Sequence, residues 1–172
     1  MKKRILSAMP ALAVMILIFC FSAQHAEQSN VSSNYIVDHL VKVIGDVGEV
    51  IGMEPTELEV RTNIEFLTFL VRKLAHTMEY ALLGFWISFY FYQRVYPLKR
   101  RFLMSLLTGF LYACTDELHQ YFVPGRSCEF RDVLIDTNGV FLGTLTFCFV
   151  LWLIQRRRKN KEISHKPALL KG

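Results

Sequence analysis

Apolar residues in this chain gather into four long runs divided by polar links. Ile5–Phe21 carries no charge, and Val133–Ile154 carries one charged residue, Asp136. Leu74–Tyr92 and Phe102–Leu118 are apolar but interrupted by His76 and Glu79 in one and by Asp116 and Glu117 in the other. Each run is close to the ~20 residues a helix needs to cross ~30 Å of hydrocarbon. The pattern predicts an all-α polytopic membrane protein, one domain over residues 1–172. Four transmembrane helices at about 5–21, 74–92, 102–118 and 133–154 are followed by a basic tail at 155–172. A cleaved signal peptide is the rival for the first run, with Lys2, Lys3 and Arg4 ahead of it, but the run is longer than a usual signal core.

The link between the first two runs has its own period. Ile36, Leu40, Val43, Val47 and Val50 recur at helical spacing, which predicts an amphipathic helix on the outer surface, ended by Gly52 and Pro55. Ile64–Val71 reads as a helical lead-in to the second span or as an extension of it.

Charge then sets orientation. Lys2, Lys3 and Arg4 open the chain, Arg94, Lys99, Arg100 and Arg101 occupy the link between spans two and three, and the tail runs Arg156, Arg157, Arg158, Lys159. Lys and Arg collect on the cytoplasmic side, so both termini are expected inside the cell membrane, which an even number of spans allows. The remaining links fall outside, and the long one is acidic. The net charge of +5 needs no nucleic acid to explain it, because a basic tail beside a span is attracted to anionic membrane lipid. The four cysteines, Cys20, Cys114, Cys128 and Cys148, have neither zinc nor disulfide-framework spacing.

The polar residues inside the spans line up on helical faces. His76, Glu79, Tyr80 and Leu83 share one face of span two, with Lys73 a turn above. Asp116 and Gln120 lie four apart on span three, beside the pair Glu117 and Tyr121. Asp132, Asp136, Gly139 and Gly143 form one stripe on span four. An acid at a span centre costs about 2.5–3.5 kcal/mol, while each large apolar residue returns only ~0.3–0.6 kcal/mol. These groups are therefore expected near the outer boundary, gathered into one externally open pocket of Lys73, His76, Glu79, Tyr80, Asp116, Glu117, Gln120, Arg126, Asp132 and Asp136. Arg72 and Arg131 add cationic charge to it. Pro124-Gly125 predicts a turn that aims Arg126 back over the helix ends. Gly139 and Gly143 form G-x-x-x-G, a pattern for close helix approach.

The same residues carry a resemblance. FSAQ at Phe21–Gln24, KLAHTMEYALLG at Lys73–Gly84, DELHQYFVPGR at Asp116–Arg126, DVLIDTNG at Asp132–Gly139, and Gly143 resemble the VanZ family of bacterial membrane proteins, over about residues 10–154. The resemblance implies several spans and a link to resistance against the glycopeptide teicoplanin.

Several readings stay open. The favoured one is a pocket that binds or shields an anionic lipid headgroup, a lipid-linked cell-wall precursor or a glycopeptide, with Arg126 and Lys73 engaging its negative charge. A second is a membrane-embedded hydrolase or transferase using Glu79, Asp116, Glu117 and His76 on a lipid-linked substrate. H-E-x-x-H and E-x-x-H are absent, so no metal and no cofactor are expected. Ser22, Ser127 and Cys128 are conceivable nucleophiles without a nucleophile motif around them. A third is a transporter built by an oligomer. The bland alternative is a lock between helix ends, pairing Asp116 with Arg126 and Glu79 with Lys73.

Overall fold

The structure is a computed structural model, and it describes residues 6–24, 31, 33–39, 41–42, 57–94, 96–126 and 128–165. All regular structure among them is helical. Helix α1 is Met9–Ser22, with Pro10 in its first turn, where a missing N–H costs nothing. Helical residues 33–39 form α2. Helix α3 is Glu57–Tyr92, α4 is Leu98–Gln120 and α5 is Phe130–His165. The Ile64–Val71 stretch is thus part of one unbroken helix with the second apolar run. Pro97 holds extended backbone at the entry to α4.

The α4–α5 link is a tight turn. Arg126 donates its backbone N–H to the Val123 carbonyl (3.1 Å). Pro124 and Gly125 stand between them, and Gly125 has φ 78°. These are the features of a type II turn, in which Pro presets the first central residue and Gly takes the left-handed second one.

Helices α3 and α5 form the most intimate pair, and glycine is the reason. A side chain at Gly84 would strike the Val140 backbone, and one at Gly143 would strike the Ala81 backbone. At Gly139 a Cβ would stand 2.6 Å from the Thr77 carbonyl oxygen. Helix α4 packs across the seam, with Gly109 leaving room for the Val140 side chain. Tyr80, Leu83, Ile87, Ala113, Val133 and Val140 form the core with Ile18 of α1. Toward the basic end of the bundle the core turns polar. Ser88 stands within hydrogen-bond distance of Ser105 and Thr144 (3.2 Å each), although that half reads as apolar in sequence.

The outward face is inverted relative to a water-soluble protein. Asp116, Glu117 and Asp136 are buried, while Leu103, Leu107, Leu111 and Leu118 form an exposed stripe along α4, and Leu142, Leu145, Phe149 and Trp152 are exposed on α5. This is the distribution expected of a chain solvated by lipid. Four spans were expected. Among the described residues one helical segment, Phe130–Lys161, is long and apolar enough by itself to cross a membrane. α1 has only 14 residues, and charged side chains interrupt the apolar stretches of α3 and α4.

The link segment also differs from expectation. Helix α2 buries Ser33 and Val37, not Ile36, and Asn34 accepts a hydrogen bond from Thr68 of α3 (3.1 Å). Ile36 is half exposed and lines, with Ser33, a cavity shared with Val71 and Arg72 of α3. The Leu40 side chain, Val43, Val47, Val50, Gly52 and Pro55 lie outside the described residues, as do Lys2–Arg4 and Ser127.

Overpacking the seam should be costly. Gly84→Leu is expected to lower the free energy of unfolding in a mixed-micelle denaturant titration by about 3 kcal/mol or more. Gly125→Ala, which only forces a left-handed Ala, should cost about 1–2 kcal/mol.

Candidate functional site

The glycine-lined seam brings three helix ends together. Lys73 and His76 on α3, Glu117 and Gln120 on α4, Arg126 in the turn, and Asp132 and Asp136 on α5 line one cavity of about 100 Å³, with Arg72 beside them. That is room for a few water molecules or one small oxyanion. Glu79 lines a neighbouring cavity of about 210 Å³ that reaches Phe21, Gln24 and α2 and shares Arg72, His76 and Arg126 with the first. Tyr80 lies behind the site, fully buried against Tyr112, not at an interface. Tyr121 is exposed. Gly139 and Gly143 are the seam itself.

The pairings differ from those the sequence suggests. Lys73 forms its ion pair with Asp132, not Glu79. Asp132 sits in the first turn of α5, where a carboxylate is favoured by the helix dipole. Glu117 accepts the backbone N–H of Glu129 (3.1 Å), just ahead of that helix. Asp116 does not pair with Arg126. Its Oδ2 accepts hydrogen bonds from Ser22 Oγ (2.9 Å) and Gln120 Nε2 (3.1 Å). Ser22 has no exposed surface, so it holds α1 against α4 and is not presented for attack on a substrate. Burying a carboxylate costs several kcal/mol, and hydrogen bonds to a charged group return about 1.5–3 kcal/mol each.

Arg126 has an unusual set of partners. Its Nε donates to the Gln24 carbonyl (3.1 Å), one terminal nitrogen to Gln120 Oε1 (3.1 Å) and the other to the Phe21 carbonyl (3.4 Å). It closes the end of α1, where unpaired carbonyls and the helix dipole both favour a cation. All three acceptors are neutral, and Arg126 forms no ion pair among the described residues. Burial and the neighbouring Arg72 guanidinium both push its pKa down. Three of its five N–H donors are used.

His76 lines the cavity with its Nδ1 buried and unpaired. His119, on the same helix as Asp116, packs instead against Phe19 in a tilted ring contact (centroids 4.3 Å apart). Arg131 pairs with Glu129 at the surface (3.0 Å), away from the cavity. Among the described residues no three His, Cys, Asp or Glu side chains converge in a metal-holding arrangement. Tyr112 was not singled out in the sequence, because nothing local marks it; its hydroxyl bonds the Met15 carbonyl and ties α1 to α4.

A groove of about 500 Å³ adjoins the site. It is lined by Met78, Leu82, Phe85 and the Gly143 backbone, with Glu79 on its border. Glu79 thus borders both an apolar groove and the polar chamber. Below the chamber, fully buried Leu83 and Val140 separate it from the Ser88–Ser105–Thr144 hydroxyls, so a single chain has no continuous polar path through the bundle among its described residues.

The profile of the VanZ/LLP1 family matches residues 8–153 of the chain. No curated protein and no solved structure matches it.

Two double-mutant cycles test this wiring. Ser22→Ala and Asp116→Asn, alone and together, should show a coupling of about 1 kcal/mol or more in unfolding free energy, since the two share a buried hydrogen bond. Lys73→Met should destabilise more than the Lys73→Met/Asp132→Leu double variant, because the single change strands a carboxylate. Simple additivity in both cycles would contradict the pairings.

Proposed function

From its place in the VanZ/LLP1 family, to which this chain belongs, we propose that the protein is a membrane protein whose polar chamber binds the anionic headgroup of a lipid or lipid-linked cell-envelope precursor at the outer leaflet. One observation carries the reading. Arg126 is a half-buried cation bonded only to neutral acceptors and set beside a second guanidinium, Arg72. No carboxylate lies within ion-pair distance of Arg126 among the described residues, and its planar fork matches phosphate or carboxylate. The carboxylates on the other wall, Glu117, Asp132 and Asp136, suit hydroxyl or amine groups carried on the same headgroup. The apolar groove at Glu79 gives a hydrocarbon chain a place to lie while its head enters the chamber. Both termini are assigned to the cytoplasm on the distribution of Lys and Arg. Protection against a glycopeptide such as teicoplanin follows from this reading if the bound headgroup is the one the antibiotic must reach.

A second reading is turnover of the bound headgroup. It draws on the placement of His76, Glu117, Asp132 and Asp136 round the same cavity as the two arginines. A carboxyl and an imidazole on one wall can move a proton while guanidinium groups hold a leaving anion.

Mass spectrometry of lipids that co-purify with the protein tests both readings. Arg126→Ala should deplete a specific anionic or lipid-linked species by tenfold or more while folded yield stays within about twofold. Asp136→Asn should keep that species bound. If Asp136→Asn also accumulates an uncleaved form missing from the wild type, the reaction reading gains; an identical lipid profile in all three proteins refutes binding at this site.

A further inference from the structure

The opposite end of the bundle is chemically distinct from the chamber. From Trp86 to Thr115, and again from Thr137 to Lys161, the chain has no Asp or Glu, yet these stretches hold Arg94, Lys99, Arg100, Arg101 and the run Arg156–Lys159. Among the described residues no ion pair reaches any of them. Four of the arginines rest instead on aromatic rings. Arg94 stands 4.5 Å above Tyr90, Arg100 4.6 Å above Tyr96, Arg101 5.1 Å above Tyr92 and Arg156 5.3 Å above Trp152. Ring contact holds a guanidinium in place without neutralising it, and Arg94 also donates one terminal N–H to the Tyr90 hydroxyl (2.6 Å). Arg94 and Arg101 each bury an Nε that has no hydrogen-bond partner. Arg101 also lines a cleft with Phe102, Phe147, Cys148 and Leu151, between α4 and α5.

We propose that this end of the bundle is a binding surface for the phosphate headgroups of anionic membrane phospholipids, centred on Arg94, Arg100 and Arg101. Position selects lipid over other polyanions. The guanidiniums sit at helix ends, on the Tyr and Trp rings that favour the boundary between hydrocarbon and water. Directly beyond them the exposed side chains are Phe149, Val150, Trp152 and Ile154. A cationic ring joined to an apolar girdle matches a molecule with a phosphate at one end and acyl chains at the other. An acidic protein or a nucleic acid would leave the apolar part uncovered. The arginine fork grips phosphate with two parallel hydrogen bonds, which a lysine cannot do.

This site is separate from the chamber and does not depend on its reading. The test places the full chain in nanodiscs made with equal parts phosphatidylglycerol and phosphatidylcholine. Native mass spectrometry then counts the lipids that stay bound. Wild type should retain phosphatidylglycerol over phosphatidylcholine by at least fivefold, and Arg131→Gln, an equal change of charge at the surface outside both sites, should retain that preference. The Arg94→Gln/Arg100→Gln/Arg101→Gln protein should fall to near parity, and the corresponding triple Lys variant should lie between. Folding of each variant is checked by circular dichroism, and if the triple variant does not fold, Arg101→Gln alone should lose at least half of the preference. The proposal is overturned if wild type shows no preference, if the preference survives the Gln substitutions, or if it disappears with Arg131→Gln alone. It is also overturned if an RNA oligomer or a polyglutamate peptide binds this face as strongly in pure phosphatidylcholine discs as phosphatidylglycerol does in the mixed ones.

Discussion

Two helices can meet backbone to backbone only where no side chain stands between them, and in this protein that condition is met at Gly84, Gly139 and Gly143. The contact sets the distance between α3 and α5, and with it the position of everything on their outer ends. Lys73 and Asp132 can pair because Gly139 lets α5 lie directly against the Thr77 carbonyl a turn below. Packing of this kind has special weight in lipid, where hydrocarbon tails compete equally for apolar surface and close fit must supply the attraction.

Around this seam the polar groups divide into two tasks. Asp116, Ser22, Gln120 and Tyr112 join α1 to α4 through buried hydrogen bonds. Lys73, His76, Glu117, Asp132 and Asp136 face a small cavity and keep hydrogen-bonding capacity toward it. Arg126 belongs to both groups. It closes α1 through two carbonyls and still turns positive charge toward the chamber. A ligand anion at Arg126 would therefore be felt at the end of α1.

Much of this was legible in the sequence. The apolar runs marked the helices, the Pro124-Gly125 pair marked the turn, and the stripes at i, i+3 and i+4 placed Lys73, His76, Glu117, Gln120, Asp132 and Asp136 on faces that do converge. Partner choice was not legible. Lys73 has Glu79 six residues on in its own helix, but the ion pair it makes reaches across the seam to Asp132. Asp116 has Arg126 ten residues away, yet it bonds Ser22, ninety-four residues earlier in the chain. On α2, Val37 is buried and Ile36 half exposed, a difference that its own apolar period does not contain.

What the sequence determined by itself were properties of single segments: which stretches are helical, which residues share a side of a helix, where the chain must turn and where cationic charge accumulates. Those depend on local geometry and on composition, both of which are written residue by residue. Only the tertiary structure decided which carboxylate faces which cation, that Ser22 and Tyr80 are closed off, and that Arg126 touches neutral carbonyls. Such outcomes depend on distances of a few ångströms between helices, and those distances are set by the joint packing of glycines and core side chains from the whole bundle.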